Sequence, residues 1–115
     1  MFRLMLLGAL AVAGWATVTV GDVLAADSPV PGYVSAVLAD TTRPPGNVKS
    51  DLSRKPAETI AFAGVKPGVS VGEFFPGRGY FTRMLSAVIG ASGHVYAVEN
   101  VAWTGALEGV LAEGR

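Results

Sequence analysis

Val69-Ser70-Val71-Gly72-Glu73-Phe74-Phe75-Pro76-Gly77-Arg78-Gly79-Tyr80-Phe81-Thr82 is the stretch on which the fold turns. Val69 to Phe75 is short, mostly apolar and rich in valine and phenylalanine, which predicts a strand. Pro76-Gly77-Arg78-Gly79 predicts a tight glycine loop. Beyond it, Phe81, Met84, Leu85, Val88 and Ile89 stand at i, i+3, i+4, i+7 and i+8, one face of a helix. Gly90 ends that helix, Ala91-Ser92-Gly93 turns the chain, and His94 to Val98 predicts a second strand closed by Glu99 and Asn100. Strand, glycine loop, helix and strand make a βαβ unit. The fold class is therefore α/β, with the two strands parallel and the crossover right-handed.

Upstream of this unit, Pro56 suits the first turn of a helix, where its missing N–H costs nothing, and Gly64 suits the left-handed position just past the end. Glu58 places negative charge near the positive end of the same helix. Tyr33 to Ala39 has room for two further helical turns. Thr41 to Asn47 carries Pro44-Pro45-Gly46 and reads as a loop, with Asn47 or Ser50 capping a short helix across Asp51 to Arg54. Ser28 to Gly32 reads as an irregular linker. Downstream, a last helix from about Val101 would set Trp103, Leu107, Val110 and Leu111 on one packing face, weakened by Gly105 and Gly109.

The apolar half of the 115 residues is unevenly spread, with no charged residue between Arg3 and Asp22. Met1 to Arg3 is a short positive start, Leu4 to Val20 an apolar run, and Val23 to Ala26 a small-residue site. That order predicts a secretory signal peptide over residues 1–26, cleaved near Ala25 or Ala26. It makes the protein exported and periplasmic. The rival is a retained inner-membrane anchor over residues 4–21, the membrane contact then being through that segment alone. Residues 27–68 then form a linker and N-terminal helices, and residues 69–115 begin the ligand-binding domain.

Nine basic and nine acidic residues cancel, which argues against a nucleic-acid partner. Arg54-Lys55 is too short for such a patch and reads as a solvated helix end. The chain has no cysteine, so no disulfide, thiolate metal site or cysteine nucleophile is available. His94 reads as a surface residue at a strand start with no second ligand beside it, and no metal site is expected. Arg78 reads as solvated.

The chemistry concentrates at the glycine loop. Glu73 ends the first strand, Gly77 and Gly79 let the backbone pass close to a ligand, and the helix starting near Tyr80 aims free N–H groups at the same point. Glu99, twenty residues after Gly79, ends the second strand, where an acid accepts hydrogen bonds from the two hydroxyls of a ribose. A nicotinamide fingerprint needs glycine or alanine three residues after Gly79, and that residue is Thr82. A loop preceded by an acid suits an amine-bearing, cationic ligand better than a pyrophosphate. A nucleotide or dinucleotide binder is thus the weakest of the readings.

Glu73-x-x-x-Gly77-x-Gly79-x-x-Thr82 followed by Glu99 resembles the first two motifs of class I S-adenosylmethionine-dependent methyltransferases. The wider stretch Arg54-Lys55-Pro56-Ala57-Glu58, Ala61 to Gly68 and Glu73 to Gly77 resembles a group of exported predicted bacterial methyltransferases. The resemblance spans roughly residues 33–100 and implies a partial Rossmann-like methyltransferase fold. On it, Glu73 lies near the amino group of the cofactor's methionine part, Gly77 and Gly79 run beneath the cofactor, and Glu99 binds its ribose. Tyr80, beside the loop, would cover the adenosyl group. The cofactor implied is S-adenosylmethionine, and the partner a methyl acceptor, small molecule or protein. The family pattern has glycine where this chain has Phe75, whose ring either crowds the cofactor or points into the sheet. The family fold has about seven strands, so the resemblance implies a truncated front portion, inactive and poorly stable alone, with no catalytic residue to assign. The rival function is a non-catalytic envelope protein that keeps the fold.

Overall fold

A computed structural model describes residues 29–113. The expected leader or anchor at residues 1–26 lies outside the described residues. Among the described residues, five helices and two strands follow one another: α1 (Gly32–Leu38), α2 (Pro45–Arg54), α3 (Pro56–Phe62), β1 (Ser70–Phe74), α4 (Tyr80–Ile89), β2 (His94–Val98) and α5 (Gly105–Leu111), with a 3₁₀ turn at Val101–Trp103. Among the described residues, no helix is long and apolar enough to cross a membrane.

The strands pair in parallel, as expected, from Ser70 opposite His94 to Phe74 opposite Val98. The chain is thus a mixed α/β structure built on a two-stranded parallel sheet. A hydrogen bond from the Phe75 N–H to the Val98 carbonyl (2.9 Å) carries the pairing one step past β1.

The helical face read from the sequence is the one that packs. Met84, Leu85, Val88 and Ile89 are buried, and Phe81, Val69, Val71 and Val95 pack against them. Val34 of α1, Ile60 of α3 and Val65 complete the same core. α1 and α3 before residue 69 and the βαβ unit after it therefore share one apolar cluster. Burying a valine or isoleucine side chain in it contributes about 1.5–3 kcal/mol. Phe74, Tyr96 and Val98 are exposed. Phe74 and Val98 are opposite one another in the register, as are Gly72 and Tyr96.

Two expectations are corrected. The Thr41–Asn47 loop is shorter, because α2 begins at Pro45 rather than near Asp51, with Pro44 as its N-cap. A proline at the first helical position gives up only an N–H that has no helical partner, so here the two prolines start the helix. Neither Asn47 nor Ser50 caps it. At the other end, Trp103 does not share a packing face with Leu107. It is 66% exposed and Leu111 is also exposed, whereas Leu107 is buried. The Asn100 side chain accepts from the Ala102 N–H (2.9 Å) and winds Val101–Trp103 into a 3₁₀ turn. Three residues per turn break the expected 3.6-residue rotation before α5 begins.

Candidate site at the glycine loop

The loop from Phe75 to Gly79 is held in shape by its backbone. Phe75, Gly77 and Gly79 all have positive φ (56°, 56° and 73°). The Gly79 N–H donates to the Pro76 carbonyl (2.9 Å), and Gly79 then serves as N-cap of α4. Arg83 donates back to the Arg78 and Gly79 carbonyls and pairs with Glu113 (2.7 Å), closing the loop against the end of α5. Arg78 itself is exposed.

The two acids take different places. Glu99 lies beside the loop: its Oε2 accepts from the Gly77 N–H (3.1 Å) and its Oε1 from the Asn100 N–H (2.8 Å). Acid and loop glycine are thus brought together from the ends of adjacent strands. Glu73 turns towards α4, where the Thr82 hydroxyl donates to its Oε2 (2.7 Å). Half-buried, the Glu73 carboxyl is pushed above its ordinary range by desolvation, which the Thr82 hydrogen bond partly opposes. A folded-state pKa above the ordinary 4.5 means that the native state binds this proton more readily than the unfolded chain. The ionised group therefore destabilises the fold at neutral pH, and the penalty fades as pH falls through the raised value. Glu73→Gln keeps an oxygen for Thr82 and removes the charge. Its urea midpoint is expected to exceed that of the parent at pH 7 and to match it at a pH well below 4.5.

The two glycines also differ. A Cβ on Gly77 would meet nothing within 4 Å, so this position is open to an approaching ligand. A Cβ on Gly79 would collide with the Val110 side chain of α5. Packing of α5 on the loop is thus enough to require the glycine at 79.

Tyr80 is buried and faces α2. Its hydroxyl donates to Asp51 Oδ1 (2.6 Å), the Arg54 guanidinium lies over its ring at 4.7 Å, and its edge meets Phe81. Desolvation first, and then the Asp51 carboxylate, push the phenol up to about 12, so it remains a donor. Asp51 also takes both guanidinium nitrogens of Arg43 (2.8 and 2.7 Å), and Arg43 donates to the Leu38 carbonyl (2.9 Å). Sequence reasoning missed Arg43 and Asp51: they are eight residues apart, across a loop, with no periodicity to join them.

Phe75 is exposed rather than turned into the sheet. Its backbone holds the left-handed conformation that glycine adopts freely, at a cost of about 1 kcal/mol for a side chain. Its ring is 75% exposed. It stands at the rim of a groove of about 340 Å³ between α3, β1 and the start of α4, lined also by Arg54, Ile60, Val71, Glu73 and Tyr80. A second groove of about 510 Å³ runs along β2 between α4 and α5, with Ser86, His94, Ala97 and Leu111 in its walls.

No family model, curated protein or solved structure matches the chain.

Proposed function

We propose that this chain is the S-adenosylmethionine-binding portion of an exported, Rossmann-like methyltransferase, acting on a small-molecule or protein acceptor. The observation that carries the reading is the meeting of Glu99 with the Gly77 N–H at the carboxyl ends of two parallel strands. Ligands of such sheets lie at that end. The open space at Gly77 and the carboxylate beside it fit a ribose carried past the loop.

When bound, S-adenosylmethionine supplies an electrophilic methyl group on sulfur. Glu99 would exchange its bond to the Gly77 N–H for the ribose hydroxyls, which frees that N–H for the ligand. Glu73, anchored by Thr82, would face the cofactor's ammonium. A cation there would offset the desolvation that raises its carboxyl. The chain's contribution to rate would be to hold the methyl in line with the acceptor.

The second reading, an exported protein that keeps the fold without the cofactor, rests on the same contacts. Thr82 already satisfies Glu73, and Gly77 with Asn100 already satisfies Glu99. Titration calorimetry of the full chain with S-adenosylmethionine separates the two. Methyl-donor binding predicts measurable heat, and about ten- to a hundredfold weaker binding for Glu99→Ala, the value of one hydrogen bond to a charged group, since the second ribose bond replaces the one Glu99 already accepts from Gly77. Absence of heat in the parent chain would favour the second reading.

A further inference from the structure

The groove between α3, β1 and the start of α4 has features that the glycine-loop site does not use. Of the two non-glycine residues with positive φ among the described residues, Lys55 (45°) and Phe75 (56°), Phe75 lines this groove and Lys55 directly follows a residue that does. Lys55 makes the corner between α2 and α3 that follows Arg54, and Phe75 is itself in the groove wall. Strained backbone of this kind persists where the surroundings enforce it, and it concentrates at ligand clamps.

The Arg54 guanidinium lies over the Tyr80 ring, 4.7 Å from its centroid, a cation–π contact that holds its head at the groove. Its N–H groups make no hydrogen bond within the described residues, unlike those of Arg43 and Arg83. A planar fork with its donors unspent matches a carboxylate. The remaining wall is largely apolar and aromatic, with Ile60, Val71, Phe74 and Phe75 in it. Its volume is near the lower end of the 300–1,000 Å³ range usual for small-molecule sites.

We propose that this groove binds a small aromatic carboxylic acid, its carboxylate on Arg54 and its ring against Phe74 and Phe75. One cation in the lining suits a single negative charge. Glu73, also in the lining, would oppose a doubly charged phosphate ester. Gly77 and Glu99 do not line this groove, whereas Glu73, which the methyl-donor reading also uses, does.

The test is calorimetric titration of the full chain with benzoate, benzyl alcohol, acetate and phenyl phosphate. Benzoate is expected to bind at least about tenfold more tightly than each of the others, the value of one charge-assisted pair. Arg54→Gln should remove that preference for benzoate over benzyl alcohol, and Arg54→Lys should keep part of it. The comparison among ligands on the parent chain needs no variant, so a folding defect in Arg54→Gln would not obscure it. Equal affinity for benzoate and benzyl alcohol, tighter binding of phenyl phosphate, or no binding of benzoate would each overturn the proposal. Parallel titration with S-adenosylmethionine distinguishes the two readings. Benzoate binding without S-adenosylmethionine binding would leave this groove standing and remove the methyl-donor reading, and the reverse would do the opposite.

Discussion

Asp51→Ala is expected to lower stability by about 3 kcal/mol, the lower part of the range for breaking a buried ion pair from one side. The Arg43 side chain is 7% exposed and that of Asp51 27%. Without Asp51, the guanidinium keeps only the Leu38 carbonyl as a close oxygen partner, and the Tyr80 hydroxyl loses its acceptor. The loss should be concentrated in α2. That helix has no buried residue, and its Leu52 is 91% exposed, so apolar burial does little to hold it. Asp51 and Arg54 attach it to Tyr80 instead. Hydrogen exchange should therefore show α2 amides losing protection while those of α4 keep most of theirs. Replacing the pair together, as Arg43→Met with Asp51→Leu, should recover most of the stability, because no uncompensated charge remains. Equal losses in the single and double variants would contradict a latch.

The latch also carries a pH signature. The Arg43 hydrogen bonds hold Asp51 below its ordinary 3.8, against the opposing effect of burial. A depressed native pKa gives stability that is whole above 3.8 and is lost as pH falls through the folded value. Glu73 acts in the opposite sense, so acid removes one penalty while it weakens the latch. Asp51→Ala should show no such acid loss from position 51.

What could be read from sequence was what local chemistry dictates. Apolar spacing located the buried face of α4. Valine and phenylalanine content located β1, and glycines at 64, 79 and 90 marked helix boundaries that the backbone confirms. That Glu99 and the glycine loop share one end of the sheet follows from strand order, since both end neighbouring parallel strands; the bond from the Gly77 N–H to Glu99 does not. What could not be read depends on the partner of each group in space. Thr82 reads as a departure from the nicotinamide fingerprint and as a motif position, and neither reading indicates that its hydroxyl takes Glu73. Nothing in the sequence joins the Tyr80 hydroxyl to Asp51 of α2. Pro44 and Pro45 read as breakers because proline has the same signature before a helix as inside a loop. Phe75 carries a conformation that no composition rule assigns to phenylalanine.

The glycine with the largest structural consequence is outside the loop altogether. Gly93→Ala is expected to cost about 3 kcal/mol, at the upper end for overpacking. A Cβ there would collide with the Val69 carbonyl oxygen and come within 3.1 Å of Ile89 Cβ. Neither neighbour is a flexible side-chain end. The Val69 carbonyl accepts the His94 N–H that starts β2 (3.3 Å), and the Ile89 carbonyl accepts from Gly68 just before β1 (2.8 Å). Moving either would disturb the register at the end opposite the glycine loop, so both the urea midpoint and the protection of the His94–Val98 amides should fall. Gly109→Ala supplies the contrast: it lies inside α5 with nothing within 4 Å of the new Cβ. Alanine there should raise stability by up to about 1 kcal/mol through helix propensity. Similar losses in both variants would mean that general backbone rigidity, rather than the close approach of Gly93 to β1, governs the packing of this turn.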